Sequence, residues 1–132
     1  LLINRNNRAK AHGTIAQVVK HIQKRNISVW MFPEGTRSRG RGLLPFKTGA
    51  FHAAIAAGVP IIPVCVSGTS NKINLNRLKN GLVIVEMLPP IETTGYGKDQ
   101  IRELAARCHE LMKTKIDELD KEVAEREATG RV

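Results

Sequence analysis

The stretch Phe32-Pro33-Glu34-Gly35-Thr36-Arg37-Ser38 places one acid and one arginine in a turn that contains proline and glycine. The five residues before it, Ile-Ser-Val-Trp-Met at 27–31, are mostly β-branched or aromatic, which predicts a short buried strand. Pro33 and Gly35 then mark the turn at the carboxyl end of that strand. Because α/β proteins bind ligands at the carboxyl ends of their strands, we expect a ligand site in this turn.

The positive charge of the chain is concentrated on both sides of this turn. The 132 residues carry a formal net charge of +9, and within residues 1–80 Glu34 is the one acid among 13 Lys and Arg. Residues 81–132 differ, with 8 basic and 11 acidic residues. The cationic first part indicates a partner that bears phosphate, which leaves nucleic acid, anionic lipid and phosphorylated metabolites open.

Outward from the turn, the spacing of apolar residues predicts alternating strands and helices. Strands are predicted at 1–3, 27–31, 59–66 and 82–88, and helices at about 8–25, 49–57 and from 101 onward. The charged end of the last helix, beyond Ile116, is expected to fray or project. This order predicts an α/β fold, with a partly parallel sheet flanked by helices and a long charged C-terminal helix.

Length and composition predict one globular domain that is part of a longer protein. With 132 residues, of which 42% are hydrophobic, the chain suits a single domain with its own core. It begins with Leu-Leu-Ile rather than Met, so we interpret residues 1–132 as the carboxy-terminal part of a larger domain. Cys65 and Cys108 have no Cys or His at metal-ligand spacing, which favours structural thiols in a reducing compartment.

Three segments together resemble motifs of the glycerolipid acyltransferase family. They are Phe32-Pro33-Glu34-Gly35-Thr36-Arg37-Ser38, the downstream Val59-Pro60-Ile61-Ile62-Pro63-Val64 and the upstream Ile3-Asn4-Arg5, in the family's order and spacing. The resemblance covers essentially all 132 residues and is closest to the bacterial branch that acylates 1-acyl-sn-glycerol-3-phosphate. It implies the family's fold and the transfer of an acyl group from acyl-CoA or acyl carrier protein to the sn-2 hydroxyl of lysophosphatidic acid, which gives phosphatidic acid.

The resemblance also implies roles for particular residues. The arginines that correspond to Arg5 and Arg37 hold the phosphate of the acceptor, and Glu34 and Gly35 shape the same site. The region of Pro60 is associated with acyl or acceptor binding. The implied substrate-binding residues are Arg5, Glu34, Gly35, Thr36, Arg37, Ser38 and Pro60. We expect no metal and no cofactor other than the acyl donor.

The family's first motif, a histidine followed five residues later by an aspartate, is missing from this sequence. The residues five positions after His12, His21, His52 and His109 are Gln17, Asn26, Ala57 and Thr114. An alcohol is a poor nucleophile at neutral pH, so the reaction needs a histidine, oriented by a carboxylate, to remove its proton. We therefore expect no catalytic residue in this chain, place the dyad upstream of Leu1, and expect the chain alone to be inactive.

Lipid substrates and a cationic surface predict contact with an anionic membrane, and the resemblance implies the cytoplasmic face of the bacterial inner membrane.

Two other functions are alternatives to the enzyme. A basic nucleic-acid-binding module would use the arginine-glycine segment at 37–42, but an aromatic content of 4% offers few stacking platforms, so we expect no nucleic acid partner. A helix-mediated interaction module would use the charged terminal helix, although a solvated packing helix explains the same pattern.

Overall fold

Residues 8–70, 72, 74, 76, 78 and 80–130 are described by a computed structural model, with residues 8–12 described as backbone only. The helices and strands run in the order α1 (Arg8–Arg25), α2 (Gly49–Ala57), β1 (Val64–Val66), β2 (Val85–Met87) and α3 (Ile101–Ala128). Each of these strands is only three residues long, so the helices make most of the described secondary structure.

The first two helices pack against each other. α2 has the sequence GAFHAAIAA, which is rich in alanine, the residue with the highest helix propensity. It ends at Gly58, whose φ of 69° is left-handed and lets its N–H reach the carbonyl oxygens of the preceding turn. From α1, Val18 is 5% exposed and Ile15 lies beside Gly49 at the start of α2. α1 thus contacts α2 along the side that carries Ile15.

The main core lies between α2, α3 and the segment that follows β2. Its buried residues are Phe51, Ile91, Ile101, Leu104, Ala105 and Cys108, each at most 6% exposed. The α3 members recur at intervals of three and four residues and therefore share one face of the helix. Phe46, just before α2, stacks on Phe51 with the ring centroids 6.1 Å apart, which extends the core towards the turn at 32–38.

The strands β1 and β2 form an antiparallel pair with the register Val64↔Met87, Cys65↔Glu86 and Val66↔Val85. An isolated antiparallel bridge between Ile61 and Ile91 continues the same pairing. Successive side chains on a strand point to opposite faces, so Cys65 and Glu86 share one face. That face lies on α3, because Lys115 of α3 pairs with Glu86 at 3.3 Å and Cys65 is fully buried.

The partly parallel sheet predicted from the element order is not confirmed within residues 8–70 and 80–130. The strand pair found there is antiparallel, and the described residues between its two strands, within 67–84, include no helix. A parallel pair needs a crossover, usually a helix, that returns the chain to the end where the first strand began. The predicted strand at 1–3 lies outside the described residues.

The buried strand predicted at 27–31 is wrong for this structure. Ile27, Val29 and Trp30 are 45%, 39% and 66% exposed, and the segment belongs to no strand. A strand needs a neighbouring backbone to take up its N–H and C=O groups, and no described segment pairs with 27–31. Trp30 instead packs edge-to-face on Phe32, with the centroids 6.3 Å apart.

The charged end of α3 neither frays nor projects, contrary to expectation. Leu119 and Val123 are 2% and 1% exposed, so the helix stays packed almost to its end. Asp120 accepts a hydrogen bond from the backbone N–H of Gly68 at 2.5 Å. At least one charged side chain of this part of α3 is therefore not simply solvated, because Asp120 binds a loop that is distant in sequence.

Candidate active site

The motif turn, residues 32–38, is closed by two backbone hydrogen bonds. The N–H of Gly35 donates to the carbonyl oxygen of Phe32 at 3.0 Å, and the N–H of Lys47 donates to that of Pro33 at 2.8 Å. Gly35 has a φ of +65°, and a β-carbon built on it would lie 3.0 Å from the Cδ and Nζ of Lys47. A larger residue would be strained and would displace this lysine. Glycine thus lets a lysine side chain lie directly over the turn.

Glu34 is held inside the loop that follows the turn. Its Oε2 accepts a hydrogen bond from the N–H of Leu44 at 2.8 Å, and its side chain is half-buried. Among the described residues it forms no ion pair with the neighbouring arginines. The carboxylate therefore stabilises the loop and leaves the arginines free of a local counter-ion.

The three arginines after Glu34 have different surroundings. The Nε of Arg41 donates to the carbonyl oxygen of Ser38 at 2.9 Å, which ties this guanidinium to the turn. Arg39 is exposed and has a φ of 53°, unusual for a residue with a side chain. Arg37 is exposed beside the exposed Thr36, and no carboxylate in the described part of the chain pairs with it. The turn therefore presents the Arg37 guanidinium to solvent, where a ligand can reach it.

The described hydrogen bonds do not link Pro60, another predicted site residue, to the turn. Pro60 is exposed between α2 and β1, and its neighbours in sequence hydrogen-bond to Ile91 and Thr93. Within the described residues no hydrogen bond joins this segment to the motif turn. Arg5 lies outside the described residues, so its role stays a prediction.

One neighbour of the turn was missed by sequence reasoning. A β-carbon built on Gly40 would lie 3.1 Å from the hydroxyl oxygen of Ser70, so the loop after β1 touches the segment that carries the arginines. The Ser-, Asn- and Gly-rich composition of residues 67–80 predicts a polar loop. Composition does not say which distant segment a loop contacts.

A wide cleft in the described structure lies away from the motif turn. It has a volume of about 530 Å³ and is lined by residues that include Pro63, Leu88, Tyr96, Arg107 and Leu111, with none from the motif turn. Arg107 donates to the Tyr96 hydroxyl at 2.9 Å across its wall. The arginines instead lie on an open surface, which suits a ligand whose phosphate is bound at the protein exterior.

The first half of the chain matches a known protein family. The family model described as Acyltransferase matches residues 1–67, which includes the motif turn and the start of the loop that touches it. The chain belongs to the acyltransferase family. The family resemblance inferred from the three sequence motifs is thereby confirmed.

Relatives of this chain carry a more specific name. The chain is 82% identical over 132 residues to the 1-acyl-sn-glycerol-3-phosphate acyltransferase of Salmonella typhimurium, a match that covers 100% of this chain and 54% of the relative. The protein of the same name from Haemophilus influenzae is 63% identical over 124 residues, which is 94% of this chain and 52% of the relative. The chain spans about half the length of these curated relatives.

A solved structure resembles this acyltransferase as well. The crystal structure of the 1-acyl-sn-glycerophosphate (LPA) acyltransferase PlsC from Thermotoga maritima matches with a TM-score of 0.67 and 29% identity. The match covers 87% of this chain and 45% of the other. Among the described helices of the present chain, none is both long and apolar enough to cross a bilayer.

The cysteines of this acyltransferase are poor candidates for a covalent acyl carrier. Cys65 and Cys108 are free, buried and face the core rather than the motif turn. Burial, and to a smaller extent the nearby Cys65, raises the pKa of the Cys108 thiol to about 11. Because the thiolate is the nucleophile, a buried thiol with a raised pKa reacts slowly. In the described part of the chain no three His, Cys, Asp or Glu side chains converge as metal ligands would.

Proposed function

We propose that this acyltransferase transfers an acyl group from acyl-CoA or acyl carrier protein to the sn-2 hydroxyl of 1-acyl-sn-glycerol-3-phosphate, giving phosphatidic acid. In this proposal residues 1–132 are the carboxy-terminal part of one acyltransferase domain and supply the phosphate site of the acceptor. The proposal is supported by 82% identity, over the whole chain, to a relative that bears this name. The structural observation that carries it is the exposed guanidinium of Arg37 in a turn whose acid is already hydrogen-bonded.

The turn has the chemistry of a phosphomonoester site. The planar fork of Arg37 can donate two parallel hydrogen bonds to phosphate oxygens, which a lysine cannot do. The Lys47 side chain over Gly35 adds a second positive charge close by. Glu34, in contrast, already accepts the Leu44 N–H, so it repels the phosphate less than a free carboxylate in the same turn would. Arg5 is proposed as a second phosphate ligand on the strength of the motif alone.

The catalytic base is proposed to lie in the part of the protein that precedes Leu1, because this sequence has no His-x-x-x-x-Asp. There the histidine would take the proton of the sn-2 hydroxyl as its oxygen attacks the thioester carbonyl. The tetrahedral intermediate then collapses, the C–S bond breaks, and the imidazolium returns the proton to the departing thiolate. The products are phosphatidic acid and the free thiol of the donor.

A location at the cytoplasmic face of the bacterial inner membrane is part of the same proposal. The acceptor and the product are both lipids, so the phosphate site has to approach a bilayer. Basic residues near an anionic membrane surface contribute about 1 kcal/mol each to binding. The exposed arginines of the 37–41 segment face solvent and are available for such contacts.

A chimera tests the proposal. In it, this chain replaces the matching 132 residues of the Salmonella typhimurium relative, and the rest of that relative supplies the missing part. We expect the chimera to make phosphatidic acid from oleoyl-CoA and lysophosphatidic acid, and the 132-residue chain alone to make none. A folded chimera that uses glycerol 3-phosphate but not lysophosphatidic acid would overturn the acceptor assignment. Turnover by the isolated chain would overturn the placement of the base.

A further inference from the structure

The loop between β1 and β2, residues 67–84, is tied to α3 near both of its ends. Near the first end, Asp120 accepts a hydrogen bond from the N–H of Gly68 at 2.5 Å. Near the second end, Glu127 accepts one from the N–H of Leu82 at 3.1 Å, and its Oε1 lies 3.5 Å from the Nζ of Lys72. Two carboxylates of one helix therefore hold opposite ends of one loop.

The part of α3 that presents these carboxylates is packed on the rest of the fold. Asp120 and Glu127 are seven positions apart, which places them on one face of α3 about two turns, or roughly 10 Å, from each other. Leu119 and Val123, next to and between them, are 2% and 1% exposed and so anchor this part of the helix. The position of the loop is therefore set by packing of the helix on the rest of the fold.

Further contacts inside the loop bring its two arms together. The N–H of Asn74 donates to the side-chain oxygen of Asn80 at 2.7 Å. At the base, the buried hydroxyl of Ser67 accepts from the N–H of Ile84 at 3.0 Å. Held in this way, the loop places Ser70 against Gly40 in the segment that follows Arg37. The described contacts thus run from α3 through the loop to the arginine-bearing segment.

We propose that Asp120 and Glu127 are positioning residues for the acceptor site, and that Ser70, in the described part of the loop they hold, forms a second wall beside the arginines. This inference rests on the proposed function. The segment after Arg37 contains two glycines with positive φ, Gly40 at 83° and Gly42 at 74°, so its own sequence restrains it weakly. Contact with Ser70 restricts that freedom and keeps the Arg37 guanidinium in a narrow range of positions. A phosphomonoester is the ligand that benefits, because a bidentate contact is sensitive to geometry.

The two carboxylates are suited to positioning more than to global stability. Both side chains are exposed, and single surface interactions contribute little to the free energy of folding. The same helix offers matched controls. Asp117 pairs with Lys113 at 2.9 Å, and Glu122 pairs with Arg126, both within α3, and neither has a described hydrogen bond to the loop.

The test measures steady-state kinetics of the chimera carrying Asp120→Ala, Asp120→Asn, Glu127→Ala, or the controls Asp117→Ala and Glu122→Ala. We expect Asp120→Ala and Glu127→Ala to raise KM for lysophosphatidic acid roughly three- to tenfold, with kcat and the KM for oleoyl-CoA changed less than about twofold. Asp120→Asn keeps an acceptor oxygen and should recover most of the loss. The controls should match the unmodified chimera.

Hydrogen exchange provides a second readout that does not depend on activity. In Asp120→Ala the peptides that cover 68–82 should exchange faster, while those of α3 should not change. Unchanged exchange in the loop, or an equal loss of kcat in the variants and the controls, would overturn the inference. If Arg37→Ala raises the acceptor KM and Asp120→Ala does not, this inference fails and the proposed function stands. If the unmodified chimera does not use lysophosphatidic acid, the proposed function itself fails.

Discussion

Glu34 accepts a hydrogen bond from the backbone N–H of Leu44 at 2.8 Å, which closes the loop that carries the arginines. The carboxylate of the motif thus binds a backbone N–H. Among the described residues it forms no ion pair with the nearby arginines, so these can pair with a ligand. Glu34 therefore helps to build the site, whereas Arg37 is placed to face a ligand.

We predict that the loop needs the hydrogen-bond acceptor of Glu34 more than its charge. In the chimera, Glu34→Ala leaves the half-buried Leu44 N–H without a partner, which costs about 1–3 kcal/mol. We expect kcat/KM for lysophosphatidic acid to fall at least about tenfold. Glu34→Gln keeps an oxygen at the same reach and should lose far less. Equal losses in both variants would show that the negative charge itself is required.

We predict that Arg37 matters more than Arg39 for use of the acceptor, although both are exposed in one segment. A charge-assisted hydrogen bond contributes about 1.5–3 kcal/mol, so Arg37→Ala in the chimera should lower kcat/KM for lysophosphatidic acid at least about tenfold. Arg37→Lys keeps the charge without the fork and should recover part of this loss. Arg39→Ala is the control and should change kcat/KM for lysophosphatidic acid little. The measurement is kcat/KM with the acyl donor saturating.

We expect Arg41→Ala to lower kcat/KM for lysophosphatidic acid more than Arg39→Ala does and less than Arg37→Ala does. Its guanidinium already donates to the carbonyl oxygen of Ser38, so Arg41→Ala loosens the turn without removing a ligand contact. Should Arg39→Ala or Arg41→Ala prove as costly as Arg37→Ala, phosphate recognition could not be assigned to Arg37. The same holds if Arg37→Ala raised only the KM of the donor.

We predict salt-sensitive binding of the 132-residue chain to anionic vesicles. Charges on exposed Lys and Arg act over about 8–10 Å at physiological ionic strength and are screened by added salt. Sedimentation with vesicles should show binding to phosphatidylglycerol-containing vesicles that weakens as NaCl is raised, and little binding to phosphatidylcholine alone. Equal binding to both vesicle types at every salt concentration would instead point to hydrophobic insertion, for example of the exposed Trp30.

We predict that Cys108 makes the chain less stable at high pH. Its pKa rises from the ordinary 9.0 to about 11 in the folded state, chiefly through burial, so the folded protein holds the thiol proton more tightly than the unfolded chain. The resulting contribution to the free energy of unfolding is about 2–3 kcal/mol. It is fully present below pH 9.0 and is lost as the pH rises towards 11. Urea unfolding at pH 8 and at pH 10.5 measures it.

The variant Cys108→Ala serves as the control for this pH dependence. It should be less stable at pH 8, because a buried side chain is truncated, but its free energy of unfolding should fall less between the two pH values. The buried Cys65, whose pKa is also raised by burial, shifts stability in the same direction and remains in both proteins. Identical slopes for the two proteins would exclude Cys108 as the group responsible.

Local sequence signals determined several features that the structure bears out. The alanine-rich helix closed by Gly58 and the start of the last helix at Ile101 follow from propensity and spacing, which act within a few residues. The turn at Pro33 and Gly35 follows from the same short-range rules, because only certain residues accept its backbone angles. The motif in this turn, together with the segments at 3–5 and 59–64, also sufficed to recognise the acyltransferase family.

Only the tertiary structure determined which segment pairs with or packs on each element. Nothing in 27–31 reveals that the described chain offers it no pairing partner, since a strand depends on a second segment for its hydrogen bonds. The antiparallel pairing of β1 with β2 was hidden for the same reason. The roles of Asp120 and Glu127 were hidden too, because a charge on a helix looks solvated until the loop that it holds, 45 or more residues away in sequence, is placed beside it.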